Sequence, residues 1–191
     1  MNNLPADDDE RLMLVAQREL KNLEERRARR AAEVALREAE KRCQLLLDSS
    51  VPNEPWGHLA EAELALVDET LSRHPAPHAL LFLHHHPVPV GSPWIDRIAL
   101  RNADALFATL DRHAAKVRGV VFGHVHQAFE AERDAIQLVA APATCIQFAS
   151  QTDRLIVDDL PPGYRWLDLH ADGRIETGVR YLEDAALRAT A

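Results

Sequence analysis

Two apolar runs of the sequence, residues 79–83 and residues 119–122, each lead into a group of histidines. The histidines that follow these runs are His84, His85, His86, His124 and His126. Buried strands of a parallel sheet are continuously apolar, and their carboxyl ends point to the crevice where ligands bind. A neutral imidazole is a good ligand for zinc, iron and manganese. A single histidine at a strand end is more often structural, but two such groups together predict a metal site.

The composition is that of a folded globular protein, because 47% of the 191 residues are hydrophobic and 27% are charged. The net charge of −8 and the isoelectric point near 5.7 exclude a general nucleic-acid binder or a protein of the anionic membrane surface. No apolar run approaches the roughly 18 residues of a membrane span. Cys43 and Cys145 lie far apart, which indicates neither a disulfide framework nor a cysteine zinc site. With no export signal at the N-terminus, we expect a cytoplasmic protein.

Hydrophobic patterning places the histidine-bearing strands in an α/β domain. Residues 44–47 predict a buried strand, and residues 59–72 and about 102–113 have the period of amphipathic helices. This alternation of helices and strands predicts a layered α/β fold with crossover connections. Prolines make the segment after His86 a loop. Beyond His126 the pattern changes to short strands, at residues 137–140, 144–149, 154–157, 164–169 and 174–181.

The N-terminal segment has a different composition. From about Asp9 to Arg42 nearly every residue is a strong helix former, with no Gly or Pro, which predicts one long charged helix. Arg27 and Arg30 interrupt its apolar stripe, so a sustained coiled coil is not predicted. The helix is therefore either a solvated amphipathic helix or a dimerising or partner-binding one. We place the domain boundary near Arg42.

Five short motifs, in a fixed order, carry a resemblance to a known family. They are Leu46-Leu47-Asp48-Ser49-Ser50, Leu83-His84-His85-His86-Pro87-Val88-Pro89, the Asp96/Leu100/Asn102 segment, Gly123-His124-Val125-His126 and Pro142-Ala143-Thr144-Cys145. In this order they resemble the C-terminal half of a class III 3′,5′-cyclic AMP phosphodiesterase of the calcineurin-like metallophosphoesterase superfamily. We interpret residues 1–42 as a charged helix unrelated to that family, residues 43–185 as a partial metallophosphoesterase domain, and residues 186–191 as a tail.

The resemblance implies a four-layer α/β/β/α sandwich with two adjacent divalent ions, of iron, manganese or zinc, that hydrolyses a cyclic nucleotide or another phosphodiester. Matched residue by residue, His84 and His124 correspond to ligands of one metal, and His126 corresponds to a ligand of the other. His85 lies next to the site, and Asn102 falls in a loop near the substrate cleft. For His85, a structural role, in which it hydrogen-bonds to and supports a metal ligand, is an equal alternative. For Asn102, the equal alternative is that it caps the N-terminus of a helix.

The sequence also departs from the family, whose Asp-x-His, Gly-Asp and Gly-Asn-His motifs are absent. No glycine precedes Gly57 and no histidine precedes His58. Histidines without a bridging carboxylate cannot neutralise two divalent cations, so we expect weak, mononuclear metal binding and assign no residue a catalytic role. We also expect an exposed sheet edge, because the strands of the other half would cover it, and self-association through that edge or through the helix.

Three functional hypotheses follow from these residues. The first is a phosphodiesterase whose sequence lacks half of its centre, with residues 1–42 supplied by a misplaced gene start or a frameshift. The second is a catalytically inactive binding or regulatory module whose N-terminal helix engages a partner. The third is an enzyme that is complete only when another polypeptide supplies the missing ligands.

Overall fold

The computed structural model describes residues 18, 20–30 and 42–182. The chain divides into two units, Met1–Lys41 and Arg42–Ala191, and each is described by itself. In the first unit, residues 18 and 20–30 are helical (α1), and the rest of the predicted N-terminal helix lies outside the described residues, as does the predicted tail. The prediction that the helix reaches Arg42 is wrong, because Arg42 pairs with His78 at the start of the first strand.

A five-stranded sheet organises the second unit. Its strands are β1 Arg42–Leu46, β2 His78–Leu83, β3 Val117–Phe122, β4 Phe129–Arg133 and β5 Ile136–Ala140, in the order β1-β2-β3-β5-β4. Neighbouring strands are parallel except for β4, which pairs antiparallel with β5. In register, Leu83 at the end of β2 lies beside Phe122 at the end of β3. The two groups of histidines therefore begin side by side at the carboxyl end of the parallel strands.

Helices cover one face of this sheet. They are α2 Glu61–Arg73, the one-turn α3 Pro93–Asp96, and α4 Ala103–Asp111. The main core joins Val67 and Leu71 of α2 and Leu106 of α4 to alternate strand residues such as Leu81 and Val120. Helices α2 and α4 are the ones that the apolar period predicts, with ends shifted by one or two residues. None of the described helices is long and apolar enough to cross a membrane.

An antiparallel hairpin covers part of the other face. It consists of β8 Gly163–Leu169 and β9 Ile175–Tyr181, and the small ribbon of β6 Gln147–Phe148 and β7 Val157–Asp158 precedes it in the chain. Ile175 of the hairpin is buried with Leu80, Val121 and Val139 in a second apolar cluster. Because β2 and β3 are buried on both faces, their sequences are continuously apolar instead of alternating. The predicted mixed α/β class is confirmed.

Three local features differ from the sequence prediction. Strands β6 and β7 are shorter than predicted, with two residues each. Strand β4 was not predicted, because its sequence Phe-Glu-Ala-Glu-Arg lies at a sheet edge and only its two ends are partly buried. Helix α3 lies in the proline-rich segment that the prolines predict to be a loop. Pro93 begins that helix, a position where the missing N–H costs nothing.

Candidate metal centre

His84 and His124 meet where β2 and β3 end. Nε2 of His84 lies 3.0 Å from Nδ1 of His124. The backbone fixes the two turns together, because the N–H of Gly123 donates to the carbonyl of His84 at 3.1 Å. His124 adopts a left-handed φ of 52°, which a residue other than glycine rarely adopts. The turn thus aims the His124 ring at His84 at a conformational cost, a feature that is common at functional sites.

The donor set of His84 and His124 fits a metal ion. Two nitrogen ligands on bonds of about 2.1 Å at a right angle stand about 3.0 Å apart, which is the separation of the two ring nitrogens. Burial, with the neighbouring histidines adding to it, lowers the pKa of His124 to about 3. Burial also lowers the pKa of His84, and the charge of His126 acts in the same direction. Both rings are therefore neutral near pH 7 and need no net loss of a proton to bind a cation. The proton in the hydrogen bond between them only has to move to the other nitrogen of its ring.

His126 is oriented by the backbone. Its Nδ1 lies 2.9 Å from the carbonyl oxygen of Ile146, so Nδ1 carries the proton and donates it. This leaves the lone pair on Nε2 free for a ligand, which is how metal-binding histidines are commonly held. The ring stacks on Phe148 at 4.5 Å, and φ of His126 is 49°. His126 is not part of the convergent group that His84, His85 and His124 form.

His85 is held from several sides. Oγ of Ser49 lies 2.9 Å from Nδ1 of His85 and accepts from its backbone N–H at 3.3 Å. A hydrogen bond to the backbone of Pro55 raises the pKa of His85, but burial outweighs it and lowers that pKa overall. A Cβ at Gly57 would lie 2.4 Å from Cγ of His85, so the Gly57 backbone packs directly on the ring. With these contacts, His85 supports the neighbouring rings.

His86 is the residue of this run to which the sequence assigns no role. It is fully buried, and its ring stacks on that of His124 at 5.8 Å. Nε2 lies 3.3 Å from Oδ1 of Asp96, a contact without hydrogen-bond geometry. Burial lowers the pKa of His86 to about 4, although Asp96 acts in the opposite direction. Ser49 and Asp96 were also missed as partners, and their places inside the resemblance motifs are the signal that could have found them.

Asn102 lies at the N-cap position of α4 but makes no side-chain capping bond. Instead its Oδ1 accepts from the N–H of Leu59 at 3.0 Å, and its Nδ2 donates to the carbonyl of Leu59 at 2.8 Å. This pair of bonds fixes the segment that carries Gly57, and therefore the backbone that packs on His85. The position of Asn102 near a substrate stays a prediction.

Comparison with known proteins places this site in context. No protein-family model matches the chain. The chain is 44% identical over 140 residues to the 3′,5′-cyclic adenosine monophosphate phosphodiesterase CpdA of Pseudomonas aeruginosa, covering 73% of this chain and 51% of that protein. The chain is a partial relative of the cyclic AMP phosphodiesterases. The resemblance predicted from the motifs is thus confirmed.

Other cyclic-nucleotide phosphodiesterases give the same result. Identity is 41% over 140 residues with CpdA of Escherichia coli K12, covering 73% of this chain and 50% of that protein. It is 40% over 135 residues with a 3′,5′-cyclic-nucleotide phosphodiesterase of Nostoc, covering 71% and 50%. The chain therefore spans about half the length of the curated phosphodiesterases that it matches. A dimetal phosphatase from Danio rerio has 25% identity and a TM-score of 0.39, over 45% of this chain and 27% of its own.

The charge of the donor set limits what the strand-end histidines can bind. In the described ranges, the convergent group at these strand ends contains three histidines and no carboxylate. The charge of Asp48 acts to raise the pKa of His85, so Asp48 lies near the group. However, its Oδ1 already accepts hydrogen bonds from the N–H and the hydroxyl of Ser50. Neutral donors leave the charge of a bound dication uncompensated. Cation affinity of this strand-end group alone is therefore expected to be low.

Proposed function

We propose that the second unit is the histidine-bearing half of a metal-dependent cyclic-nucleotide phosphodiesterase. The observation that carries this proposal is the 3.0 Å approach of the neutral His84 and His124 rings at adjacent strand ends. It lies within a stretch that is 44% identical to a cyclic AMP phosphodiesterase. The described sheet, helices and hairpin would form part of a four-layer α/β/β/α metallophosphoesterase sandwich. Residues outside those described, or another polypeptide, would supply the rest.

In this proposal His84 and His124 hold one divalent cation and His126 holds a second, each ion being iron, manganese or zinc. When bound, such ions polarise phosphoryl oxygens and lower the pKa of a water molecule. Ser49 keeps His85 against the ligand rings, and Asn102 keeps the Gly57 backbone in place behind it. The substrate is a cyclic nucleotide. A water oxygen forms a bond to phosphorus, one ester P–O bond breaks, and the leaving oxygen takes up a proton.

A hydrolysis assay with a matched control tests this proposal. The purified chain is supplied with Mn²⁺ and either cyclic AMP or bis(p-nitrophenyl) phosphate, and product is measured over time. Turnover is expected to be lost in His124→Ala and retained in His113→Ala, since His113 contacts Asp68, away from the site. Equal turnover in His124→Ala and the parent chain would refute the assignment of His124.

A second candidate is a cyclic-nucleotide binding module without turnover. It is favoured by the convergent group itself, which among the described residues contains no carboxylate to bridge two ions. Calorimetric titration with cyclic AMP in the presence of Mn²⁺, followed by chromatography of the recovered nucleotide, separates the two candidates. Binding with intact cyclic AMP favours the module, and conversion to a nucleoside monophosphate favours the enzyme.

A further inference from the structure

We propose a second metal site at the closed end of the β8–β9 hairpin, formed by Asp168, His170 and Glu176. One ligand atom from each of these residues lies within 4.8 Å of the other two. The ligand is a divalent transition metal, and zinc fits best because zinc accepts both imidazole and carboxylate donors. The site does not depend on the proposed phosphodiesterase function.

Strand register brings the two carboxylates together. Asp168 of β8 is the direct cross-strand partner of Glu176 of β9, and both side chains are at least half exposed. Like charges opposite one another on a sheet are unfavourable unless a cation lies between them. His170 extends the same pairing, because its N–H donates to the carbonyl of Arg174 at 2.9 Å. The hairpin therefore presents two carboxylates and one imidazole on one side.

The distances need only small side-chain rotations to suit a metal. Nε2 of His170 lies 3.6 Å from Oε1 of Glu176 and 4.0 Å from Oδ2 of Asp168. Tetrahedral ligands on bonds of about 2.0–2.2 Å stand about 3.3–3.6 Å apart. Nε2 of His170 is buried and has no hydrogen-bond partner within the described part of the chain. Unlike the three histidines at the strand ends, this donor set carries two negative charges and neutralises a dication.

The hairpin site is remote from the histidine centre. A Cβ on Gly173 in its turn would lie 2.7 Å from the side chains of His78 and Arg118, which are at the amino ends of β2 and β3. His84 follows the opposite end of β2, six residues along an extended strand, or about 20 Å away. The two sites therefore bind metal independently, and metal binding at each can be removed by mutation without affecting the other.

Arg174 competes with a metal for this site. Its guanidinium forms an ion pair with Glu176, and its Nη2 lies 3.2 Å from Nδ1 of His170. Because arginine only donates, Nδ1 accepts and the proton of the neutral ring resides on Nε2. A metal at Nε2 requires Arg174 to leave and the proton to move from Nε2. Removal of Arg174 should therefore strengthen metal binding, whereas removal of a purely structural ion pair would not.

Zinc titration against a chromophoric chelator, on the full chain freed of metal, tests the proposal. The variant His84→Ala/His124→Ala silences the strand-end centre and is expected to keep one zinc equivalent. Adding His170→Ala is expected to weaken this binding at least tenfold. Adding Arg174→Ala instead is expected to tighten it several-fold. Near-ultraviolet circular dichroism confirms that each variant is folded.

Three results would overturn the proposal. One is a folded His84→Ala/His124→Ala variant that binds no zinc. Another is a zinc affinity that His170→Ala leaves unchanged, because the remaining zinc would then be held by other residues. An Arg174→Ala variant that binds zinc more weakly would also contradict it, since Arg174 would then support the site.

Discussion

The chemistry of the strand ends depends on crowding of neutral imidazoles. The rings of His84, His85 and His124 have centroids 4.6 to 4.9 Å apart, and His86 stacks behind His124. For all four rings, burial is the largest cause of a lowered pKa. Protonation would place like charges in contact inside a desolvated cluster. The same arrangement that keeps these nitrogens available to a cation therefore makes the fold sensitive to acid.

We predict that the metal-free chain loses stability as pH falls below about 6.5, the ordinary histidine pKa. Below about pH 6.5 the histidines of the unfolded state take up protons. In the folded state the pKa of His86 is lowered to about 4 and that of His124 to about 3, so these two rings stay neutral. The unfolded state thus binds more protons in this window, so the free energy of unfolding rises with pH and levels off above it. Urea unfolding in EDTA at pH 5 and pH 7.5 measures the difference. His124→Ala should show a smaller difference, and identical stabilities of the parent at both pH values would contradict the prediction.

Gly57→Ala is expected to destabilise the fold by about 1–3 kcal/mol, the usual cost of overpacking a core. The added methyl would meet the His85 ring at 2.4 Å, and the hydrogen bond to Ser49 holds that ring in place. Gly123→Ala is the matched control, because its methyl would be no closer than 3.5 Å to any neighbour. Urea unfolding compares the two variants. Equal midpoints would show that His85 can move freely.

At the scale of elements, prediction from sequence succeeded where burial dictates the pattern. Strands β2 and β3 are buried on both faces and read as apolar runs, whereas β4 has an exposed, charged middle and gave no signal. The sequence could predict that the histidines after β2 and those after β3 lie close together, because the carboxyl ends of parallel strands lie at the same end of the sheet. The left-handed φ of His124 and His126 could not be predicted, since the residue type histidine does not indicate this backbone conformation. The bond between Ser49 and His85 joins positions 36 residues apart, and no local pattern encodes it.

A buried arginine of the hairpin links strands β4 and β5, which gives a testable contrast. Arg165 has 1% of its side chain exposed, and it donates to the carbonyl of Ala140 at 2.8 Å and to Glu130 at 2.8 Å. Arg165→Met removes these bonds together with the one to the carbonyl of Phe129, so we expect a loss of about 2–4 kcal/mol in the free energy of unfolding. Glu130→Gln, at a side chain that is 63% exposed, should cost at most about 1 kcal/mol. Chemical denaturation of both variants measures the two losses, and similar losses would show that the contribution of Arg165 comes from the ion pair with Glu130 and not from the bonds to the carbonyls.

At the scale of the whole molecule, the described sheet ends at strand β1, which has one unpaired edge. Strand β1 pairs only with β2 among the described strands, and Leu46 on it is 82% exposed. The curated phosphodiesterases that match this chain are about twice as long as the matched stretch. An apolar residue on an unpaired edge favours pairing with a further strand. The sheet edge is thus the surface where a second polypeptide, including another copy of this chain, would add.

We predict concentration-dependent self-association of the purified chain through this edge, measured by sedimentation velocity across a hundredfold range of concentration. Leu46→Lys should shift the chain to monomer, because an edge lysine resists desolvation on strand pairing. Leu66→Lys is the matched control, since Leu66 is 48% exposed but lies on helix α2 and not on the unpaired strand. It should associate as the parent chain does. A parent chain that stays monomeric at the highest concentration would contradict the prediction, and equal loss of association in both variants would indicate a general effect of added charge.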